Sequence, residues 1–427
     1  MLDFLTVVER YEETAYNIFV FNRNLRNKLT DALADTPAVL IVGARQVGKT
    51  TLARLVQDKN YLTFDDANTL SIARQSPPDF IRNLSKPVVI DEVQLCPEIL
   101  PVIKQVIDND RTAAGQFILT GSANVLTLPK VSESLAGRIE ILTLRTLSQN
   151  EIEGREANFA DKIFAEEFDF PTIFPNEERD DLLTRMLVGG YPEAVSRRTD
   201  GRRQDWFASY LTTILQRDIR DLANIEGLTD MPRLLSMLAA RASGLLNVAE
   251  ISRSIGFPQM TLHRYLALLE KVFLIETVPA WSGSLKSRLV KAPKIYITDT
   301  GLLSYLQGLN LKKINNEPTL AGSLTENFVA LELKKQLGGS ATGAEMFHFR
   351  TSNDREIDII LENRAGELVA VEVKAGSSVN PNDFKNLQML AESLPKKFKR
   401  GIILYAGDQF LSFGKNLYLV PVSALWN

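Results

Sequence analysis

The sequence predicts an α/β protein: a parallel sheet covered by helices, then a helical part with a helix-turn-helix, then a second α/β domain. Three observations carry this expectation. Short apolar runs at Ala38–Val42, Tyr61–Phe64, Val88–Ile90, Phe117–Leu119 and Ile139–Leu144 alternate with helix-like stretches, the texture of parallel strands buried on both faces. Val248, Ile251 and Ile255 share one helical face, Gly256-Phe257-Pro258 breaks it, and Leu262, Leu266 and Leu269 line a second helix. Past Asn315, a helix over Leu324–Gln336 precedes strand-like runs at Glu356–Leu361, Leu368–Val373 and Gly401–Tyr405.

A chain of 427 residues with 45% hydrophobic content can bury more than one core. The changes of texture divide it into residues 1–146, 147–240, 241–310 and 311–427. Glu151 to Asp181 is acidic, with scattered Phe and the prolines Pro171 and Pro175, and reads as an irregular insertion or linker. The net charge of -3, with both signs interspersed, provides no global field toward nucleic acid or an anionic membrane, so any DNA contact must rest on local patches. Cys96 is the single cysteine, which excludes an internal disulfide, and with only His263 and His348 a structural zinc site is not expected. The stretch Met1–Tyr16 carries Asp3, Glu9, Arg10, Glu12 and Glu13, so it lacks a signal peptide's apolar run, and no later stretch suits a bilayer span. A cytoplasmic protein with no membrane partner is the expectation.

The chemistry starts at Gly43-Ala44-Arg45-Gln46-Val47-Gly48-Lys49-Thr50, which fits G-x-x-x-x-G-K-[ST] between an apolar strand and the helical Thr51–Val56. Glycines let backbone N–H groups, including that of Thr51, converge on phosphates at a helix N-terminus. Lys49 then reaches the terminal phosphates, and the Thr50 hydroxyl suits a magnesium shell. Pro87-Val88-Val89-Ile90 ends in Asp91-Glu92. The first carboxylate suits the magnesium ion and the second the attacking water; the pair also fits a simple helix cap. Gln116–Leu119 ends in Thr120-Gly121-Ser122-Ala123-Asn124, where Ser122 or Asn124 is placed to sense the γ-phosphate, although this is also ordinary turn chemistry. Together these residues point to ATP and Mg2+ as the ligands, with hydrolysis as the reaction.

These stretches resemble the AAA+-like branch of P-loop ATPases, and more closely the large prokaryotic family that joins such an ATPase to a C-terminal domain of unknown function. Ile90-Asp91-Glu92-Val93-Gln94, Leu135-Ala136-Gly137-Arg138-Ile139, Gly189-Gly190-Tyr191-Pro192-Glu193 and the segment from Lys291 to Leu302 carry the likeness over most of the chain. The resemblance implies an arginine that completes a neighbouring subunit's site. Arg138 is the candidate, with Arg217 competing and a plain ion-pairing arginine equally open, and either finger would imply a homo-oligomer such as a hexameric ring.

The second helix of the helix-turn-helix presents Gln259, Thr261, His263 and Arg264 for phosphates or base edges. Lys286, Arg288, Lys291 and Lys294 form a basic cluster on a following wing. DNA is the expected partner, with a protein-packing role as the alternative. Further on, a hairpin turning at Gly366 sets Asp358 near Glu372, with Lys374 two residues beyond on the same face. That arrangement resembles the restriction-endonuclease-like fold, and Glu326 on the preceding helix matches an extra acidic residue of some of those nucleases. The resemblance implies a metal between Asp358 and Glu372 and a nuclease-like site, against the alternative of a surface Glu–Lys pair. The functional expectation is an ATPase acting on DNA in remodelling, repair or junction processing. The alternative is a nucleotide-dependent switch or scaffold with an inert nuclease-like domain.

Overall fold

The computed structural model describes residues 21–427 except 111, 123–136, 157–158, 176, 221–229, 284–290, 352 and 354. Five strands, β1 (Ala38–Val42), β2 (Tyr61–Thr63), β3 (Val88–Asp91), β4 (Phe117–Gly121) and β5 (Ile139–Thr143), form one sheet in the order β2-β3-β4-β1-β5. Every pairing in it is parallel. All five residues of β1 and all four of β3 are buried, which explains their unbroken apolar sequence: helices cover both faces and no alternation is needed. Among those helices, α1 (Leu25–Asp35) and α2 (Lys49–Val56) bury Leu29, Leu52 and Ala53, and α3 (Ile99–Asn109) buries Ile99, Leu100, Ile103 and Ile107. The expected parallel sheet is present. Its carboxyl edge collects the ends of β1, β3 and β4, the place where open α/β sheets bind ligands.

Helices α4 (Arg179–Val188) and α5 (Asp200–Thr213) follow, and α5 runs directly into a π-helical segment, Ile214–Ile219. The helix-turn-helix is formed by α6 (Val248–Ile255) and α7 (Gln259–Lys271), with Gly256 closing α6 in the left-handed region at φ 85. Ile251, Ile255, Leu262, Leu266 and Leu269 of its apolar stripes are buried and Val248 is half-buried against them. Strands β6 (Ile275–Val278) and β7 (Lys294–Ile297) pair antiparallel as a wing, and α8 (Thr300–Gln307) follows.

The last domain begins with α9 (Pro318–Gly339), 22 residues buried on several sides because it packs against α1, α8 and the second sheet at once. That sheet contains β8 (Glu345–Arg350), β9 (Glu356–Glu362), β10 (Leu368–Lys374), β11 (Phe398–Tyr405), β12 (Leu411–Ser412) and β13 (Leu417–Pro421). Their order is β12-β13-β11-β10-β9-β8, with β10-β11 and β11-β13 parallel and the other pairs antiparallel. A helix α10 (Lys385–Ser393) lies against it. The hairpin at Gly366 is found, with Gly366 at φ 77.

The acidic stretch after Glu151, expected as an irregular insertion or linker, is a packed strap: Phe159, Phe170 and Phe174 are buried, and Phe168 lies edge-on to Tyr418 at 4.8 Å. Its backbone pairs with the last domain through Phe174 N to Asp408 O at 2.8 Å and Phe410 N to Thr172 O at 3.0 Å. Glu156, Glu166, Glu167 and Asp169 face water, Glu153 and Glu177 pair with Arg185, and the phenylalanines, unreadable as a regular period, supply the apolar area that fixes the strap. An ion cluster further joins the parts. Arg145, just past β5, donates to both Glu276 oxygens at 2.6 and 2.9 Å, and Lys334 of α9 donates to the same carboxylate. Burial alone would raise the Glu276 carboxyl, but these two cations hold it down at about 2.

Candidate functional site

The glycine loop joins β1 to α2 and is built by backbone strain placed on glycine. Gly48 has φ 94 and ψ 27, a conformation that costs an L-residue roughly 1–2 kcal/mol. At Gly43 a Cβ would lie 2.2 Å from the Leu144 carbonyl oxygen, so no side chain fits there. Ala44 and Val47 are buried while Gln46, at φ 60, is exposed. Thr51 is exposed in the first turn of α2.

Lys49 is buried, and its ammonium donates to the Gly43 and Ala44 carbonyls at 3.1 and 2.8 Å. Burial lowers its pKa, while Glu92 and Asp91 act in the opposite direction. Thr50 Oγ1 donates toward Asp91, 3.1 Å from Oδ1 and 3.0 Å from Oδ2. Asp91 also accepts from the hydroxyls of Tyr61, at 3.0 Å, and Thr120. Burial raises the Tyr61 phenol to about 12, with Asp91 adding to the shift, so the phenol remains a donor. Glu92 occupies the left-handed region at φ 58; its N–H points to Thr120 Oγ1 at 3.3 Å and its carboxylate accepts from Gln94 Nε2. Such a backbone conformation in a glutamate persists where the surroundings over-determine it, commonly at functional sites. Ser122 is half-buried directly after β4. Asn124 lies outside the described residues.

Three residues of this region were not singled out by sequence reasoning. Thr120 links Asp91 to the Glu92 backbone. Arg23 donates to the Val47 carbonyl at 2.6 Å and to the Arg145 carbonyl at 2.6 Å, bracing the glycine loop from the far side. Asp218, in the π-helical segment, accepts from Arg45 Nε at 2.7 Å. Only the last had a signal, its place in the run Gln216-Arg217-Asp218. Because Arg45 belongs to the loop and Asp218 to the helical part, this pair ties the glycine loop to the helices. Arg45→Ala and Asp218→Ala are each expected to raise KM for ATP, and the double variant to fall short of the summed effects by about 1 kcal/mol in a mutant cycle on kcat/KM; strict additivity would show the pair is not coupled.

Residues 35–153 match a family model described as AAA domain. Residues 179–313 and 321–425 match two further models, each described as a domain of unknown function (DUF8612 and DUF4143). This chain joins an AAA domain to a C-terminal domain of unknown function. The glycine loop and Asp91-Glu92 both lie within the matched AAA domain. The chain is 29% identical over 410 residues to the uncharacterized proteins Rv2008c of Mycobacterium tuberculosis and Mb2031c of Mycobacterium bovis, covering 96% of this chain and 85% of theirs. Among solved structures, a signal-transduction ATPase with numerous domains carrying a tetratricopeptide repeat sensor, PH0952 of Pyrococcus horikoshii, is 15% identical with a TM-score of 0.25, covering 76% of this chain and 46% of that one. The cytoplasmic domain of EssC is 16% identical with a TM-score of 0.19, covering 32% of this chain and 35% of that one. This chain thus spans less than half the length of either.

The remaining candidates separate into two groups. Gln259, His263 and Arg264 are exposed on α7 and Thr261 is half-buried, with Met260 beside them at 81% exposure. Lys291 is exposed and donates to the Arg350 carbonyl at 3.3 Å; Lys286 and Arg288 lie outside the described residues. Lys294 corrects its assignment: at 2% exposure it is no wing cation but a buried one, because its position on β7 aims it at Glu326, Glu356 and Asp358. Asp358, Glu372, Lys374 and Glu326 do converge. Asp358 Oδ2 accepts from Val373 N at 3.0 Å, and Lys374 Nζ lies 3.3 Å from Glu372. Burial first, then Asp358, raises the Glu372 carboxyl to about 8 and the Glu326 carboxyl to about 7.

Arg138 is paired within its own chain, Nε lying 2.8 Å from Asp108 Oδ1, whereas Arg217 is exposed. Among the described residues no helix is long and apolar enough to cross a membrane.

Proposed function

We propose that the protein is an oligomeric, magnesium-dependent ATPase that converts ATP hydrolysis into rearrangement of DNA, as in remodelling, repair or junction processing. The observation that carries the hydrolytic part is the meeting of Lys49, Thr50, Asp91, Glu92 and Thr120 at one sheet edge, brought there by the start of α2 and the ends of β3 and β4. Thr50 and Asp91 are a hard-oxygen pair suited to Mg2+, which would neutralise phosphate charge. Lys49, on loop carbonyls here, exchanges them for phosphate oxygens. Glu92 orients the water for attack once Gln94 releases its carboxylate. Arg217, exposed and next to Asp218, is favoured over Arg138 as the arginine offered to a neighbouring subunit.

DNA binding is supported by the exposed face of α7. Gln259, His263 and Arg264 match phosphates or base edges, and Met260 suits apolar contact in a groove. ATPase rate measured with and without forked duplex is expected to rise several-fold with DNA, and DNA affinity to fall steeply with salt. No stimulation together with no salt-dependent binding sinks the DNA assignment while leaving hydrolysis intact.

The Glu92–Gln94 bond favours one second reading, a nucleotide-dependent switch in which binding rather than turnover sets the output. Glu92→Gln separates the two: a motor loses function, whereas a switch stays locked in its ATP-bound state.

A further inference from the structure

The restriction-endonuclease-like resemblance implies a divalent ion between Asp358 and Glu372, but the residues present do not fit one. Lys294 Nζ lies 2.8 Å from Glu356 Oε1, 2.9 Å from Glu326 Oε1 and 3.2 Å from Asp358 Oδ1. The implied ion would share Asp358 with the Lys294 ammonium, and an ion about 2.0–2.6 Å from both Asp358 Oδ1 and the Glu326 carboxylate falls in the volume the ammonium fills. Like charge would also repel it. Asp358 has no oxygen left over, since Oδ2 accepts from the Val373 N–H; Glu372 Oε1 lies 3.3 Å from Lys374 Nζ, and its Oε2 is buried without a hydrogen-bond partner, one oxygen where an ion needs several. Tyr296 donates to Glu326 Oε1 at 3.0 Å, so that oxygen already serves two donors. Among the described residues no three acidic, histidine or cysteine side chains are grouped to hold an ion.

The sequence origin of Lys294 matters as much as its position. It comes from the wing strand β7, outside the domain that owns the carboxylates, and it is fully desolvated. An ammonium so buried is retained only by paired opposite charge, and the three carboxylates would repel one another without it.

We propose that Lys294 is a resident cation standing in place of a divalent metal, so that the C-terminal domain is closed to metal-dependent cutting and the wing is pinned to it by charge. The inference does not depend on DNA being the partner of the AAA domain.

The test is a manganese(II) titration of the full chain without nucleotide, read by electron paramagnetic resonance. A Thr50→Ala background removes one of the two proposed metal ligands of the AAA site and so weakens that site. At about 1 mM manganese this protein is expected to bind no ion, Lys294→Met added to it to gain one bound ion, and Asp358→Asn added to both to lose that ion again. Binding by the Thr50→Ala protein that Asp358→Asn removes overturns the proposal, as does failure of a folded Lys294→Met variant to gain an ion. Should Lys294→Met unfold, the thermal midpoint of the Thr50→Ala protein decides: no rise with manganese supports the proposal, and a rise that Asp358→Asn abolishes overturns it.

Discussion

Lys49→Ala is expected to lower kcat/KM for ATP by at least about a hundred-fold, read as phosphate release under saturating magnesium. The loss has two parts. On the proposed function the ammonium meets the phosphates, so ground-state affinity falls. It also faces the charge that builds on the transferring phosphoryl group, so turnover falls further. The folded state provides the reason the site is poised: Lys49 is buried with its N–H groups on the Gly43 and Ala44 carbonyls, bonds that a polyphosphate replaces with charged acceptors. Glu92→Gln is the companion measurement, expected to keep nucleotide affinity while cutting turnover by about a hundred-fold or more, because the amide cannot act as a base. Unchanged affinity and rate in Lys49→Ala would remove the loop from the chemistry altogether.

Asp299→Ala is expected to destabilise the chain by about 3–5 kcal/mol, seen as a lowered urea midpoint, since two buried N–H groups lose their acceptor at about 1–3 kcal/mol each and a cavity is left. Asp299 is 0% exposed and caps α8: Oδ1 accepts from Leu302 N at 3.1 Å and Oδ2 from Gly190 N at 2.7 Å. Burial raises its carboxyl, with Lys335 and the two N–H groups opposing that shift. Asp299→Asn is expected to cost nearly as much, because an amide that accepts from Leu302 turns its own N–H groups toward the Gly190 N–H. Space is as tight as the bonding: a Cβ on Gly189 would lie 2.2 Å from Asp299 Oδ1, and one on Gly301 2.3 Å from the Val188 oxygen. A midpoint unchanged in Asp299→Ala would show that the two motifs are not held together by this carboxylate.

That junction illustrates the boundary of sequence reading. Gly189-Gly190-Tyr191 and Asp299-Thr300-Gly301 stood out in the sequence as family-like stretches with no assigned task, more than a hundred residues apart. Their task is mutual: one supplies a bare backbone, the other the carboxylate and a second bare backbone that fit it. Neither stretch contains a periodicity that announces the other. The packing of the strap from Glu151 to Asp181 was hidden for a related reason, since its acids dominate composition while its phenylalanines pack on one another and against Phe410 and Tyr418.

The parts that were legible share a physical property: their pattern is local. Buried parallel strands must be apolar throughout, a loop that wraps phosphate must have glycine where φ is positive or backbone approaches backbone, and a helix pair must stripe every third or fourth position. Hence the sheet, Gly43–Thr50, Asp91-Glu92 and the helix-turn-helix were written in the sequence itself. Charge pairing carries no such period. The bracing of the loop by Arg23, the Arg45–Asp218 tie and the destination of Lys294 depend on which distant side chain faces a cation once the cores have packed, and only the tertiary structure decided them. A lysine next to other basic residues reads as a surface patch until the fold turns it inward toward Glu326, Glu356 and Asp358, where desolvation makes opposite charge obligatory.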